Sequence, residues 1–419
     1  MLSLENYRYD VENCVRCSNC KWVDYICMKS KRFSKICPSH TKYLFDVYSC
    51  QGRMDVARGL MNKELDYTET VLDVVYKCTM CGACDIMCKR CLDLEPLEVL
   101  ETLRIRLVEE GLGPMPAHKA YIERAEKTHN VFGEPHEKRF SWVPQEFLNR
   151  KDADVIFFVG CLSSYRSLEV AKATLKILDT AGVKVSVLTD EWCCGSPIFR
   201  VGDLKTAKKL MEHNLSLIKD TGVNKVVTSC AGCYKMFKVD YPKILGEETG
   251  LEVAHIVEYI DKFLDEGKLK FSKEVNLKVT YHDPCHLGRL SEPYVFWKGE
   301  RKRYGLTDPP KKWRRGTYGI YEPPRKVLRS IPGITLVEME RIKENAWCCG
   351  AGGGVMAQYR DFAEWTAKER IEEAKVTGAE AVVSCCPFCK LNLEPKAKEA
   401  GMQMFDLTEL IIKALGLEV

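Results

Sequence analysis

From residue 151 onward, short apolar runs alternate with longer amphipathic stretches. The run DVIFFVG (154–160) is too short for a helix and is apolar on both faces, which predicts a strand buried within a sheet. The segment DLKTAKKLMEHNLSLIKDTG (203–222) has its apolar residues at helical spacing. Strands joined by helices of this length form parallel sheets, so we expect an α/β fold. The other predicted strands lie at 183–190, 224–230, 277–284, 333–340 and 379–385.

The order of these elements occurs twice. The helical segment HIVEYIDKFL (255–264), which closes the first series, corresponds to FDLTELIIKAL (405–415) at the end of the second. The repetition predicts two duplicated, Rossmann-like domains with parallel sheets, at 151–270 and 271–419. We expect the final amphipathic helix to dock on the protein rather than to anchor it in a membrane, since it has only about three turns.

Residues 1–150 have a different character and predict a separate, helical domain. The stretch LEPLEVLETLRIRLVEEGLG (94–113) is rich in helix formers and leads into a polar connector. A total of 419 residues suits two to three domains. The chain start has no basic region followed by an apolar one, and no apolar stretch is long enough for a spanning helix. We therefore expect a cytoplasmic protein, in contact with a membrane only through a partner.

Apolar residues (46%), charged residues (29%) and a net charge of +4 are ordinary for a soluble protein and do not indicate nucleic-acid binding. The unusual feature is 22 cysteines. A chain of this length does not need disulfides to stabilise its core, and a cysteine-rich intracellular protein is more often a metal protein. Eleven cysteines lie between Cys14 and Cys91 and eleven between Cys161 and Cys389, with none from 92 to 160.

The cysteines of the first zone have the spacing of bacterial-type ferredoxins. One motif is C-x-x-C-x-x-C followed by a delayed Cys-Pro, and the other is C-x-x-C-x-x-C-x-x-x-C. In such motifs three thiolates bind one cubane [4Fe–4S] cluster, and the fourth cysteine ligates the other cluster. This rule predicts two clusters, one held by Cys14, Cys17, Cys20 and Cys88, the other by Cys78, Cys81, Cys84 and Cys37.

The fourth ligands of these two clusters have alternatives. Cys27 lies in the segment that delays Cys37, and Cys91 follows Cys88 by three residues. Cys50 belongs to no motif, and we interpret it as a buried structural thiol. Zinc is the alternative metal, but zinc sites usually consist of two separated pairs of ligands rather than two runs of three.

In the second zone, each half places its cysteines just after successive predicted strands. The first half has the pattern C-x31-CC-x35-C-x-x-C and the second has C-x62-CC-x36-C-x-x-C. The carboxyl ends of parallel strands meet at one sheet edge, where open α/β sheets bind their ligands. Gly195 and Gly350, after the double cysteines, would let the backbone approach the sulfurs. The run GAGGG (350–354) also has the composition of a phosphate loop, which is the alternative interpretation.

These motifs resemble the cysteine-rich CCG domain, and the whole arrangement resembles the D-type catalytic subunit of heterodisulfide reductase. The resemblance covers nearly the entire chain and rests on GCLSSYR (160–166), WCCGSP (192–197), DPCHLGR (283–289), WCCGAGGG (347–354) and CPFC (386–389). PRKVLRSIPG (324–333) adds to it.

The resemblance implies a noncubane [4Fe–4S] cluster in each half. The implied ligands, which would also carry the catalytic chemistry, are Cys161, Cys193, Cys194, Cys230 and Cys233 in the first half and Cys285, Cys348, Cys349, Cys386 and Cys389 in the second. Cys385 competes with Cys386 for its role. Related subunits of glycolate, lactate and glycerol-3-phosphate oxidation often lack some of these cysteines, so the complete sets favour the reductase branch.

The function implied is electron relay through the cubane clusters to the noncubane clusters, which reduce a disulfide. Because the chain has no flavin or nicotinamide fingerprint, an electron-donating flavin protein or membrane cytochrome is expected as partner. The alternative is a non-catalytic electron-transfer subunit of a thioester reductase or a quinone-linked dehydrogenase. The resemblance also suggests an anaerobic setting. A zinc-bearing scaffold is a third, weaker possibility.

The longer gap in the second half contains a basic insertion, near 298–325. Residues 298–329 hold eleven Lys or Arg against three acids, with Tyr304, Trp313 and Tyr318 among the aromatic residues between them. A solvated loop, a cover over the second cluster site, and a docking surface for an acidic partner or an anionic thiol all fit this composition. Nucleic-acid binding has no other support.

Five polar residues near the cysteine motifs are further candidates. His282 and His286 flank Cys285 and could tune or ligate iron, although a strand-end histidine more commonly bonds to backbone; Asp283 is placed similarly. Glu191 and Glu344 precede the double cysteines and are candidate proton donors to a leaving thiolate.

Overall fold

A computed structural model describes residues 2–295 and 297–418. Residues 1, 296 and 419 lie outside the described residues. Residues 1 and 419 are bounds of the predicted domains, and residue 296 precedes the basic insertion. The N-terminal part is helical, and an isolated antiparallel bridge between Trp22 and Lys35 closes the segment that separates Cys20 from Cys37. Its helices are α1 (Arg8–Glu12), α2 (Pro38–Tyr43), α3 (Cys50–Met61), α4 (Glu69–Tyr76), α5 (Ala83–Cys88), α6 (Pro96–Glu109) and α7 (Pro116–Thr128). Single 3₁₀ turns lie at Leu4–Tyr7, Asn19–Lys21, Tyr25–Cys27, Asp46–Tyr48, His136–Arg139 and Gln145–Phe147.

The first α/β half contains a parallel four-stranded sheet with the order β2-β1-β3-β4. The central strand is the predicted apolar run, shortened to Val155–Phe157, and all three residues are buried. The strands are β1 (Val155–Phe157), β2 (Val185–Ser186), β3 (Lys225–Thr228) and β4 (Glu252–His255). The helices are α8 (Cys161–Tyr165), α9 (Leu168–Thr180), α10 (Ser196–Arg200), α11 (Leu204–Lys219), α12 (Ala231–Lys235), α13 (Tyr241–Leu245) and α14 (Ile256–Asp265), with a π-helical turn at Met236–Asp240.

The second half repeats this topology, because its sheet order β10-β9-β5-β8 is the same order read from the other edge. The predicted parallel sheets are therefore confirmed. The strands are β5 (Leu277–Tyr281), β8 (Ile334–Val337), β9 (Ala381–Ser384) and β10 (Gln403–Asp406), while β6 (Glu300–Arg301) and β7 (Thr307–Asp308) form a separate hairpin. The helices are α15 (Glu322–Ser330), α16 (Val355–Gln358), α17 (Arg360–Val376), α18 (Pro387–Glu399) and α19 (Leu407–Leu415), with 3₁₀ turns at Arg303–Gly305 and Lys343–Asn345.

The C-terminal helix α19 docks on the protein, as expected. It packs against α9 of the first half, and Leu407, Leu410 and Ile411 on its inner face are buried in the core that the two halves share. Asp406 caps its N-terminus by accepting from the backbone of Thr408, while Glu409 accepts from the backbone of Asp406. Among the helices that the structure describes, none combines the length and the apolar character needed to cross a lipid bilayer.

Helix α6 belongs to the interior, although the sequence suggested that it leads into a connector. Its residue Arg104 is fully buried and donates hydrogen bonds to carbonyl groups of all three parts of the chain. The acceptors are Val75, Tyr76 and Cys78 in the N-terminal part, Arg200 in the first half and Gly353 in the second. His118 of α7 also bonds to the second half, through the carbonyl of Gly354 at 2.9 Å. The three parts therefore form a common buried junction.

The basic insertion is attached to the N-terminal part by ion pairs. Arg301 pairs with Asp93 at 3.0 Å, Lys311 pairs with Asp93 and Glu95, and Arg314 pairs with Glu98 at 3.1 Å. The insertion is therefore not simply a solvated loop. Its outer side nevertheless exposes aromatic rings, since Tyr304 and Tyr318 are 85% and 86% exposed.

Candidate metal centres

The first group of thiols surrounds a small cavity in the N-terminal part. Cys14 and Cys17 lie in the loop after α1, Cys20 lies in the following 3₁₀ turn, and Cys88 ends α5. All four line a cavity of about 20 Å³. The structure thus brings together the four cysteines predicted for the first cubane cluster.

The second group of thiols lies beside the first. Cys78 and Cys81 lie in the loop before α5, and Cys84 lies in its first turn. Cys37 interacts electrostatically with Cys84 and Cys78, so it lies close to them. Burial raises the pKa of Cys37 to about 12. Cys27 and Cys91 are both exposed, and Cys91 accepts a hydrogen bond from the amide of Asn19 at 2.7 Å. The structure therefore groups Cys37 and Cys88, rather than Cys27 and Cys91, with the two runs of three.

Cys50 connects these two groups. Its thiol lies at the start of α3, is buried, and hydrogen-bonds to both Cys20 and Cys84, which raises the pKa of Cys50 well above its ordinary value. It also lines the cavity of the first group. The sequence predicted a buried thiol here, but no sequence pattern indicated that it lies between two candidate clusters.

The donor chemistry around the second group fits an anionic metal cluster. Arg53, Arg104 and Arg289 are buried, and none of them has a carboxylate partner among the described residues. Arg53 lowers the pKa of Cys37, Arg289 lowers that of Cys81, and Arg104 interacts with the thiol of Cys78. Buried cations are rarely left without a countercharge. A thiolate-bound iron–sulfur cluster would supply it here.

The first half positions five buried thiols at the carboxyl edge of its sheet. Cys161 follows β1, the Cys193–Cys194 pair follows β2, and Cys230 and Cys233 follow β3. The Sγ atoms of Cys161 and Cys193 are 3.7 Å apart. Hydrogen bonds with Cys193 and Cys233 lower the pKa of Cys194 to about 6, which favours the thiolate that metals bind.

The second half repeats the arrangement. Cys285 follows β5, the Cys348–Cys349 pair follows β8, and Cys386 and Cys389 follow β9. Hydrogen bonds with Cys348 and Cys389 lower the pKa of Cys349 to about 6, as for Cys194. The Sγ atoms of Cys349 and Cys389 and a ring nitrogen of His282 all lie within 4.8 Å of one another.

The glycines after the double cysteines allow close backbone packing. Gly195 has a φ of +86° and Gly350 a φ of +93°, both in the left-handed region that favours glycine. A Cβ atom at Gly350 would lie 2.5 Å from the carbonyl oxygen of Ala363. A Cβ at Gly352 would lie 2.7 Å from the carbonyl of Thr79, and one at Gly353 would overlap that of Cys78. The GAGGG run therefore packs on the backbone of the second ferredoxin-like motif, which argues against the phosphate-loop alternative.

Both halves turn their thiols into one cavity of about 250 Å³. Nine of the ten predicted cysteines line it, all except Cys193. Cys386 is one of the nine, whereas Cys385 does not line the cavity and lies beside Tyr281. His286 lies on the wall, while Arg124, an exposed residue, is among the lining residues. The lining cysteines are Cys161, Cys194, Cys230, Cys233, Cys285, Cys348, Cys349, Cys386 and Cys389.

The acidic candidate residues form ion pairs away from the cavity. Glu191 is buried, pairs with Arg139, and accepts from the backbone amides of Val159 and Gly160, so it holds the turn that leads to Cys161. Glu344 pairs with Arg90. Asp283 is bound by Arg325 at 2.7 Å. None of these three carboxylates lines the cavity, so the geometry does not support a proton-donor role for Glu191 or Glu344.

The four groups of thiols are in contact with one another in a definite order. Cys50 bridges the first and second groups, Cys81 hydrogen-bonds to Cys348 of the second half, and Cys386 hydrogen-bonds to Cys230 of the first half. These thiol contacts therefore run from the N-terminal part to the second half, and from the second half to the first.

Comparison with known proteins decides the family. The chain is 34% identical over 98% of its length to the D subunit of the dihydromethanophenazine:CoB--CoM heterodisulfide reductase of Methanosarcina mazei, of which it covers 95%. The chain belongs to the family of heterodisulfide reductase D subunits. The family model for the cysteine-rich domain named CCG matches this family member twice, at 155–238 and 312–394. It is thus an iron–sulfur oxidoreductase subunit with two cysteine-rich domains, as the resemblance implied.

Other relatives of this family member carry the names of different oxidoreductases. The B subunit of the fumarate reductase (CoM/CoB) of Methanothermobacter marburgensis is 33% identical over 80% of the chain, which covers 61% of that protein. The EtfAB:quinone oxidoreductase of Syntrophomonas wolfei is 29% identical over 85% of the chain, which covers 48% of it. A hypothetical protein from Helicobacter pylori shares the fold, with a TM-score of 0.54 at 11% identity, over 88% of this chain and 68% of that one.

Proposed function

We propose that the chain is the disulfide-reducing subunit of a redox complex of the heterodisulfide reductase type. The observation that carries this proposal is the single cavity into which both halves turn their cysteines. A disulfide has two sulfur atoms, and its reduction produces two thiolates that each need a binding partner. Two thiol-lined centres that face one cavity provide one partner for each sulfur.

The proposed domains are those expected from the sequence: a ferredoxin-type domain at 1–150 and two cysteine-rich domains at 151–270 and 271–419. Cys14, Cys17, Cys20 and Cys88 would hold one cubane cluster, and Cys37, Cys78, Cys81 and Cys84 the other. When bound, such clusters accept and release one electron at a time. The two five-cysteine sets, Cys161, Cys193, Cys194, Cys230 and Cys233 in the first half and Cys285, Cys348, Cys349, Cys386 and Cys389 in the second, would hold the noncubane clusters.

The chain's own residues supply position and exclusion of water. The contacts of Cys81 with Cys348 and of Cys386 with Cys230 hold neighbouring thiol groups next to one another. Apolar side chains such as Phe132, Val131 and Met356 line part of the cavity. Reduction of one disulfide consumes two electrons and two protons, so an electron-donating partner protein is required. The basic insertion, with its exposed Tyr304 and Tyr318, is our candidate surface for that partner.

The relatives also support a second candidate, a subunit that transfers electrons without its own substrate. The EtfAB:quinone oxidoreductase and fumarate reductase relatives carry names of other reactions although they share most of this chain. The complete pair of five-cysteine sets around one cavity favours the disulfide reaction over this alternative.

The test uses the full chain purified without oxygen, a reduced dye as electron donor and mixed thiol disulfides as acceptors. We expect dye oxidation only when a disulfide is present. Cys386→Ser should lower this rate at least about 100-fold, while Cys385→Ser, whose thiol does not line the cavity, should leave it within about threefold. If all iron centres are reducible but no disulfide accelerates dye oxidation, the electron-transfer alternative is correct.

A further inference from the structure

The two cysteine-rich halves differ at one buried position beside their thiols. In the second half, His282 follows β5, three residues before Cys285; in the first half, Phe158 follows β1, three residues before Cys161. Phe158 packs on Phe237 with ring centroids 4.7 Å apart, as an ordinary core residue. His282 is equally buried, yet it carries a polar ring into the same place.

A buried ion-pair network fixes the ring of His282. Arg370 donates from Nε to Nδ1 of His282 at 3.0 Å, and Arg370 itself is held by Glu373 at 2.8 Å and by the carbonyl of Arg341 at 2.9 Å. Arg341 also pairs with Glu373 at 3.0 Å. The residue of the first half that corresponds to Arg370 is Asn214, which bonds instead to the carbonyl of Cys193. The network is therefore specific to the second half.

This network determines which ring nitrogen carries the proton. A guanidinium group can only donate, so Nδ1 of His282 must accept and cannot carry hydrogen in the neutral ring. A ring that accepts a hydrogen bond at Nδ1 is a neutral imidazole. The proton is then on Nε2, the ring nitrogen that Arg370 does not bind. A ring nitrogen of His282 and the sulfurs of Cys349 and Cys389 lie within 4.8 Å of one another, so the ring is placed beside these thiols.

We infer that His282 is a positioning residue that directs an N–H donor at the thiolates of the second cysteine-rich half and thereby makes that half the more easily reduced of the two. This inference rests on the proposed iron–sulfur function. Hydrogen bonds to cluster sulfurs stabilise the reduced, more negative state and so raise the reduction potential. Phe158 provides no such donor, so the two halves, although duplicated, differ in potential.

The second half is also the one that the N-terminal thiols contact, through Cys81 and Cys348. The donor of His282 therefore lies at the first of the two cysteine-rich centres that an electron from the N-terminal part would meet. His282 does not need to be an iron ligand for this role, since the half already supplies five thiols.

The experiment compares His282→Phe, which copies the first half, with His282→Gln, which keeps an N–H donor. The full chain is purified without oxygen, its iron is counted, and the midpoint potentials are measured by redox titration with electron spin resonance. We expect unchanged iron. In His282→Phe, one noncubane signal should have a reduced-to-oxidised ratio at least about tenfold lower at the wild-type midpoint, which is about 59 mV for a one-electron couple. His282→Gln, which keeps an N–H donor, should keep the midpoint potential close to the wild-type value. If the larger ring of His282→Phe disturbs cluster assembly, His282→Leu has a smaller side chain and should show the same fall in the reduced-to-oxidised ratio with iron retained.

Labelling with ¹⁵N-histidine gives an independent readout by pulsed spin resonance. A weak nitrogen coupling that disappears in His282→Phe is the expected result for a hydrogen-bond donor. A strong coupling together with loss of iron in His282→Phe would make His282 a ligand and overturn the inference. Intact iron with unchanged potentials in both His282→Phe and His282→Leu would also overturn it. A wild-type chain without iron in its cysteine-rich halves would instead refute the proposed function itself.

Discussion

Replacing Arg104 with methionine should loosen the junction between the three parts of the chain. Within the part of the chain that the structure describes, the guanidinium of Arg104 makes five hydrogen bonds, all to backbone carbonyl groups, at 2.7 to 3.3 Å. The acceptors belong to the N-terminal part, to Arg200 and to Gly353, so no other side chain can replace the donor for all of them. Methionine fills a similar volume but donates nothing, which leaves buried carbonyl groups without their partner.

The magnitude follows from two opposing effects. Each hydrogen bond to a charged donor contributes about 1.5–3 kcal/mol, but burial of the cation costs several kcal/mol. Because removal of one partner from a buried charged network typically costs about 3–5 kcal/mol, we expect a loss of that size in the free energy that holds the junction closed. This corresponds to a fall of about 10²- to 10⁴-fold in the protection of amides that exchange only when the junction opens.

Native-state hydrogen exchange measures this directly, on the amides of Val355 and Gln358, which bond to the carbonyls of Gly352 and Gly354. The control is Arg360→Met, since the Arg360 side chain is 81% exposed and pairs with Glu364, four residues away. Such a surface pair contributes at most about 1 kcal/mol. If the two variants protected these amides equally well, the reasoning about the junction would be refuted.

Three further outcomes are expected. Cys37→Ser should remove about four iron atoms per chain, while Cys27→Ser, at an exposed thiol, should remove none; equal iron in both would contradict the grouping of Cys37 with the second motif. Burial raises the pKa of Asp406 from 3.8 to about 7, so the unfolded chain releases this proton at a lower pH than the folded chain does. The free energy of unfolding therefore falls as the pH rises from about 4 to 7. Asp406→Asn should remove that part of the pH dependence in denaturant titrations, and parallel wild-type and variant curves would disprove it. Deletion of 298–318 removes the cations that pair with Asp93, so it should lower the unfolding temperature as well as partner binding; an unchanged unfolding temperature would show that the ion pairs are not structural.

Local patterns predicted much of the α/β part correctly. The run at 154–160 contains β1, which is buried on both faces. The helices α11 and α14 begin within one residue of the predicted segments, because the periodicity of apolar residues is visible within about ten residues. The edge strands β4 and β10 were not predicted. Residues 252–254 of β4 are exposed or half-buried and polar in part, so their pattern lacks the continuous apolar run of a central strand.

The features that depend on distant parts of the chain could not be predicted. The cations of the insertion pair with Asp93 and Glu95, about two hundred residues earlier, and no local pattern reveals such partners. Arg370 and His282 are separated by 88 positions, so the histidine looked like an ordinary strand-end residue. The spacing of the cysteines did predict which candidate thiols lie together, because each of them directly follows a predicted strand. The order of contact among the four groups depends on how the three parts of the chain pack.

That packing also explains why the duplicated halves are not equal. After its double cysteine, the second half has Ala351, Gly352, Gly353 and Gly354, where the first half has Ser196 and Pro197 at the start of α10. Any side chain at Gly352 or Gly353 would collide with the backbone at Cys78 and Thr79. The glycine run is thus the surface that admits the second ferredoxin-like motif, and it brings Cys348 within hydrogen-bonding distance of Cys81. In the first half the N-terminal part instead forms ion pairs and hydrogen bonds, such as those of Glu101 with Arg200 and of Tyr121 with the carbonyl of Pro197, and an ordinary helix start is present at the same position. Duplication supplied two similar sets of thiols, and the docking of the N-terminal part made one of them the nearer.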